Sequence, residues 1–290
     1  MEFITNWKHR WSICLLCRVL KVSESGYHKH VRSRSRTYRH AHLLAQIYEL
    51  LREDEENSNY GVRRIHQGLT LNKGCNVSYS TVLRICKENA LMIRQKPKPK
   101  GLTKADSEAQ RAENLIQQDF TADAPNCKWL TDITEVPCKD GKLYLTPIMD
   151  CYDGMIVGFK TDDHMRAELC VEAFQRACKA HGAAGMILHS DRGSQFTSRV
   201  FRETLRNVGA VQSMSGTGRC YDNARMESFF ATLKKEKLYR INTKRLTREE
   251  VKTIIFRYIH YYNRRRIYSA NDGLPPLRKR EQYYNNALAA

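Results

Sequence analysis

The sequence predicts an α/β protein in which a mixed five-stranded sheet with helices follows small all-α modules. Three observations lead there. Apolar residues recur at helical spacing through residues 12–94. Two Asp-Gly turns divide three β-rich runs between 128 and 159. Helical and strand-like periods then alternate as far as Lys237.

Residues 12–32 open with a short helix carrying Ile13, Leu16, Val19 and Leu20. Val22-Ser23-Glu24-Ser25-Gly26-Tyr27 then reads as the turn and second-helix start of a helix-turn-helix, with an ordinary helical hairpin as the alternative. RSRSRTYRH at 32–40 is too polar for a core and reads as a basic linker. Leu43, Leu44, Ile47, Leu50 and Leu51 begin a second helical unit over 41–94. It continues through an acidic turn from Glu53 to Asn59, a helix opening at Tyr60-Gly61-Val62, and a serine-capped amphipathic helix after Ser78-Tyr79-Ser80. Short helices with arginine on the exposed face suit DNA-backbone contact; a packing domain with a solvated basic face is the alternative. Alternating Lys and Pro in QKPKPKGLTK at 95–104 exclude helix and central strand, so this stretch is expected to be extended and positively charged, within a linker over 95–120.

From Lys128 the period becomes two. Asp140-Gly141 and Asp153-Gly154 separate the runs 128–136, 143–149 and 155–159, which predicts a three-stranded antiparallel meander. An amphipathic helix bearing Cys170, Ala173, Phe174, Ala177 and Cys178 follows, then a short buried strand at Met186-Ile187-Leu188-His189. A helix over 197–208, a brief strand near 210–212 and a helix from Asp222 through Lys237 complete the order β-β-β-α-β-α-β-α, which is that of the ribonuclease-H-like fold. The divisions expected are 1–40, 41–94, a linker at 95–120, the α/β core at 121–240 and a basic helical region at 241–290.

Charge is distributed along these divisions. Residues 1–120 hold 21 Lys and Arg against 12 Asp and Glu, a net +9; residues 121–232 hold 13 against 14; residues 233–290 hold 15 against 5, a net +10. A polyanion is the natural partner of the basic arms. The near-neutral, carboxylate-bearing middle separates the chain from a plain nucleic-acid binder and points to metal-dependent chemistry on nucleic acid. No apolar run approaches the roughly 20 residues of a membrane span, and no signal-peptide pattern opens the chain, so no membrane partner and a cytoplasmic, nucleoid-associated home are expected. Scattered cysteines without an export signal read as free thiols. Cys14 and Cys17 with His28 and His30 are too tightly spaced for a zinc finger, and Leu15-Leu16 suits a helix core.

Three carboxylates stand out: Asp132 in the first strand, Asp191 just after the short buried strand, and Glu227 on the last helix of the core. Adjacent central strands can set both aspartates at one sheet position and the helix can lower the glutamate onto them. Three converging carboxylates raise one another's pKa and are costly without cations. Phosphodiester chemistry supplies the reason for them: two Mg²⁺ ions (Mn²⁺ being the expected substitute), held by few carboxylates and by phosphate oxygens, neutralise the scissile phosphate and activate an attacking oxygen.

These residues lie in Trp129-Leu130-Thr131-Asp132-Ile133-Thr134, in His189-Ser190-Asp191-Arg192-Gly193-Ser194-Gln195-Phe196, and in Cys220-Tyr221-Asp222-Asn223-Ala224 with Glu227-Ser228-Phe229-Phe230-Ala231-Thr232-Leu233-Lys234. In them, and in the 35 residues between Asp191 and Glu227, the chain resembles the catalytic subunit of IS3-type insertion-sequence transposases, within the retroviral integrase superfamily, over about residues 12–280. The resemblance implies that Asp132 bridges two metals while Asp191 and Glu227 hold one each, and that Lys234, two helical turns beyond Glu227, contacts DNA. Gln195 and Asn223 become candidate phosphate or base contacts, with helix capping as the alternative for Asn223. Arg219 is a further candidate, as are Arg264 and Arg265 in the aromatic–arginine run YIHYYNRRR, whose tyrosines could instead pack a helix on the core. His189 reads as a packed strand-end histidine and Trp129 as core. The loop Ser213 to Arg219 departs from the family pattern, which has a basic residue at 216 and asparagine at 219.

The resemblance therefore implies a DNA transposase acting on double-stranded element ends and target as a homo-oligomer. The chain begins without an upstream helix-turn-helix and leucine-zipper segment, so the product of an upstream frame is an expected partner. The rival readings are an inactive DNA-binding regulator of the element and a plain metal-dependent nuclease.

Overall fold

In the computed structural model, residues 1–35, 39–93, 113–182, 184–216 and 220–289 are described. They fall into two compact units, Met1–Glu49 and Leu50–Ala290.

The smaller unit holds α1 (Glu2–Trp7), α2 (Ile13–Val19) and α3 (Glu24–Ser35). Ser12 caps α2 by accepting the Leu15 N–H at 3.3 Å, and the Ser23 hydroxyl accepts the Gly26 N–H at 3.1 Å where α3 begins. The helices close on Ile4, Leu16, Cys17 and Tyr27. Cys17 is therefore a core residue while Cys14 is exposed, and neither belongs to a metal-binding trio among the described residues. The basic run expected as linker is helical through Ser35, because a helix face turned to water tolerates polar residues throughout; residues 36–38 lie outside the described residues.

α4 (Ala41–Arg52) leads into the larger unit, followed by a capped turn at Glu55–Asn59, α5 (Val62–Leu71) and α6 (Tyr79–Glu88). Ser78 caps α6 through the Thr81 N–H. Residues 94–112 lie outside the described residues. The stretch expected to be extended, 95–104, is among them; the end of the expected linker packs on the core, where Ile116 is buried, Leu115 N–H donates to Ser213 Oγ and Glu113 C=O accepts from Met214 N–H.

The sheet contains β1 (Lys128–Thr131), β2 (Thr134–Cys138), β3 (Gly141–Asp150), β4 (Ile156–Asp162), β5 (Ile187–Ser190) and β6 (Val211–Met214). Six ladder segments make five physical strands. β1 and β2 pair antiparallel with β3 in one unbroken register, from Trp129↔Asp150 to Cys138↔Gly141, so they are a single strand interrupted at Asp132-Ile133. That register sets Pro147, which has no N–H for a ladder, opposite Asp132; the Pro147 carbonyl takes the Thr131 hydroxyl at 3.0 Å instead. β4 completes the meander on the other edge of β3, while β5 and β6 add in parallel beside β1. Parallel neighbours require crossovers, and α7 (Ala167–His181), α8 (Ser194–Thr197) and α9 (Arg199–Asn207) supply them. Their stripe of Cys170, Ala173, Phe174, Ala177, Phe201 and Leu205 buries Trp129, Ile148 and Leu188. Gly158 lets β4 approach α7 closely, since a Cβ there would come within 2.8 Å of Ala177.

α10 (Ala224–Leu233) continues as a π-turn over Lys234–Leu238, and α11 (Arg248–Arg264) and α12 (Pro276–Ala289) follow. Tyr258, Tyr261 and Tyr262 of α11 are buried, so these aromatics pack the helix and are not a stacking platform. Glu236 in the π-turn accepts from both Arg266 Nε and Nη2 at 2.9 Å, Arg64 Nη1 at 2.8 Å and Tyr258 Oη at 2.8 Å. This hub joins α5 to the helix that follows the core. No helix of the described residues is long and apolar enough to cross a membrane.

Candidate active site

Asp132 comes directly after β1 and Asp191 directly after β5. Because these strands are parallel, with Trp129 beside Leu188 and Leu130 beside His189, their continuation sets the two aspartates side by side at the carboxyl edge. That edge is where open α/β sheets gather ligands. Glu227 lies in the first turn of α10, a helix packed against β1.

Local backbone steers both aspartates. Asp132 Oδ1 accepts the Ile133 N–H at 2.7 Å where the strand is interrupted, and Asp191 Oδ1 accepts the Gly193 N–H at 3.0 Å. A Cβ on Gly193 would stand 2.9 Å from Gln195 Oε1 and 3.1 Å from Asp191 Oδ1, so the glycine leaves room for that carboxylate.

Burial first, then the charges of Asp191 and Glu227, push the Asp132 carboxyl up to about 7; the Ile133 N–H and the Lys234 ammonium oppose the rise. Burial also raises Asp191. Lys234 is lowered by burial, while Asp132 and Glu135 pull it back. The acids act on one another without closing into a tight cage. Among the described residues, the trio whose ligand atoms all lie within 4.8 Å of one another is a different one, Asp162, Asp163 and His164 at the end of β4.

The other expected residues are placed variously. Asn223 occupies the N-cap position of α10 yet makes no capping bond; its Nδ2 donates to Thr131 C=O at 3.0 Å, beside Asp132, and its buried Oδ1 has no partner. Gln195 Nε2 donates to Met165 C=O at 3.0 Å. His189 is fully buried between the Ser213 and Ser215 hydroxyls at 2.8 and 3.2 Å, and burial takes its pKa down to about 4, so it is a neutral packed histidine. Trp129 is core and donates to Asp150 at 3.3 Å. Arg264 is exposed, Arg265 pairs with Asp54 at 3.1 Å, and Arg219 lies outside the described residues.

Sequence reasoning assigned no role to Asp222, which is buried and accepts from Asn114 Nδ2, Gln118 Nε2 and Gly216 N–H at 2.7–3.0 Å, holding the loop ahead of α10. Nor did it single out Arg225, whose guanidinium bonds the carbonyls of Phe120 and Cys151. Both stand inside the conspicuous run 220–227, but their partners are distant in sequence.

Residues 122–220 and 208–276 match family models described as Integrase core domain, and residues 39–99 match one described as HTH-like domain. Over 295 residues the chain is 32% identical to the transposase InsF for insertion sequence IS3A of Escherichia coli K12, covering 100% of both. It is 31% identical to the putative transposase InsK for IS150 of the same organism, over 98% of this chain and 99% of that one. The chain belongs to the IS3-type insertion-sequence transposase family. It is a DNA transposase with an integrase core of ribonuclease-H-like fold, and an HTH-like domain precedes that core. The probable transposase for IS1353 of Shigella flexneri is 34% identical over 92% of this chain, which spans only 51% of that relative. Among solved structures, the magnesium-bound catalytic core of HTLV-2 integrase aligns with 54% of this transposase and 97% of its own chain, at a TM-score of 0.43 and 18% identity.

Proposed function

We propose that this transposase cuts and joins DNA strands with two magnesium ions held among Asp132, Asp191 and Glu227. The observation that carries the reading is the parallel β1–β5 register, which sets the two aspartates side by side where Asp132 also feels Glu227. The donor set suits hard cations: all-oxygen and anionic, with one carboxyl driven up to about 7 by burial and by its two acidic neighbours. The orphaned Oδ1 of Asn223 adds an unused acceptor beside it. An open trio also fits ions whose shells are completed by phosphate oxygens. Bound there, the ions supply charge neutralisation at the scissile phosphate and activation of the attacking oxygen, and Mn²⁺ would substitute.

The chain's own residues do the positioning. The Ile133 and Gly193 N–H groups orient the two aspartates, Asn223 braces the strand end at Thr131, and Lys234 holds a DNA phosphate beside Asp132. Water cleaves one strand at the element end and leaves a 3′-OH. That hydroxyl attacks a second phosphodiester in line, so no protein-linked intermediate forms. Two ends must be handled together, which calls for a homo-oligomer. An upstream-frame helix-turn-helix and leucine-zipper product is the further partner in this reading.

Strand-transfer assays on labelled end DNA with Mg²⁺ compare wild type with Asp191→Asn. Joined product from wild type alone is expected. Equal product from both would remove the catalytic assignment, no product from either would leave a DNA-binding regulator, and cleavage without joining would leave a nuclease.

A further inference from the structure

Beside Lys234, a groove of about 280 Å³ opens between β2 and the turn Thr243–Arg245. Among the described residues β2 pairs only with β3, because β5 ends at Ser190, level with Thr131. The sheet edge there is left for the groove. Val136, Pro137 and Leu238 give it apolar surface, while Lys234, Tyr239 and Lys244 bring charge and an aromatic ring. Tyr239 is 42% exposed. Glu135, also lining the groove, is paired with Lys142 at 2.9 Å.

The backbone explains how the tyrosine comes to stand there. α10 does not run on as an α-helix; its last turn is widened, and Tyr239 N–H donates to the Lys234 carbonyl five residues back at 2.7 Å. A π-turn stacks residue i+5 over residue i, so Tyr239 lies next along the chain's surface from Lys234.

We propose that this groove takes one unpaired nucleobase of the DNA strand that crosses the carboxylate pocket, stacked on Tyr239, with its flanking phosphates between Lys234 and Lys244. The proposal rests on the strand-transfer reading above and deepens it. Phosphates alone would waste the apolar surface, whereas an aromatic face beside cations is how single strands are held without regard to sequence. The volume is below the roughly 300–1,000 Å³ of pockets for drug-sized ligands, which suits one base and not an oligonucleotide. Charge complementarity agrees, since residues 233–290 carry a net +10. A base drawn out beside the cleavage point holds the duplex open there and presents the scissile phosphate to the acids.

The test uses the full chain carrying Asp191→Asn, in Mg²⁺, so that binding is read without turnover. End DNA is substituted with 2-aminopurine one position at a time. One position next to the cleavage point is expected to change its emission on binding. Tyr239→Ala should abolish that change and weaken binding roughly tenfold, while Tyr239→Phe, which keeps the ring, should preserve it. Lys244→Ala should reduce the salt dependence of binding by about one phosphate contact. Emission that changes uniformly, or identically with and without the Tyr239 ring, overturns the proposal. So does loss of oligomer in Tyr239→Ala with emission unaltered, which would give the groove to a second copy of the chain. The catalytic reading is judged separately, by whether Asp191→Asn still makes joined product.

Discussion

Glu227 and Glu236 lie nine residues apart on one helical run, in opposite electrostatic circumstances. Glu236 meets two guanidiniums and a phenol, and although burial opposes ionisation, these partners hold its carboxyl down at about 2. Glu227 lies instead beside Asp132, whose own carboxyl is driven up to about 7 by burial and by two neighbouring acids, with Lys234 as the opposing cation. An acid that the fold uses for itself arrives with its countercharge. Three acids gathered around a single lysine mark a deficit that a ligand has to fill.

The largest effect that tests this contrast is expected from Asp132→Asn. Strand transfer should fall about a thousandfold or more, since ion binding contributes several kcal/mol to such chemistry. The metal-free protein should nevertheless become more stable. Asp132 has a folded pKa above its unfolded value, so its ionisation penalises the fold fully above about pH 7, and the penalty vanishes as pH falls below about 4. With part of the side chain open to solvent, the gain at pH 8 should be on the order of 2 kcal/mol, seen as a melting temperature several degrees higher. Mg²⁺ should raise the melting temperature of wild type and leave Asp132→Asn unmoved. A variant that melts lower than wild type at pH 8 without metal would refute the idea of an uncompensated acid.

Glu236→Gln should do the reverse. Removing the charge strands Arg266, which is 5% exposed, together with Arg64, and should cost about 3 kcal/mol measured by urea unfolding at pH 7. Here the folded pKa is depressed, so the contribution is fully present above the unfolded value of 4.5 and drains as pH falls toward 2. The difference between variant and wild type should shrink over that window. A gap that stays constant across it would place the stabilisation elsewhere.

What the sequence disclosed follows the same division. The meander, the crossover helices and the placing of Asp191 just after a strand were legible because each depends on local signals: period two, Asp-Gly turns, and a short apolar run that stops ahead of the carboxylate; Asp132 was read inside its strand. The break in the first strand was not legible. It depends on Pro147 standing opposite Asp132, a pairing that no local pattern announces. Glu236 drew no role from the sequence and Arg266 stood only as part of the aromatic–arginine run, because the bonds that pair them come together from α5, from the π-turn and from beyond α11. Asn223 illustrates a subtler limit. The sequence places it correctly at the start of α10, yet its amide is drawn to the Thr131 carbonyl and not to its own helix.

The smallest effect concerns Gly193, where the deficit of charge meets a matter of space. Its φ of −54° is open to any residue, so alanine introduces no backbone strain. What alanine brings is a methyl at 2.9 Å from Gln195 Oε1 and 3.1 Å from Asp191 Oδ1. The glutamine amide is the end of a flexible side chain and can swing away. The aspartate is tethered by the Gly193 N–H and must give by a few tenths of an ångström. Gly193→Ala should therefore fold normally, with a melting temperature within about 2 °C of wild type, and lose roughly tenfold in strand transfer, since small misplacements of a reacting group are magnified in rate. Higher Mg²⁺ should recover part of that loss if the displaced carboxylate is a metal ligand. Recovery that fails at every concentration, with DNA binding intact, would leave Asp191 steering something other than a cation.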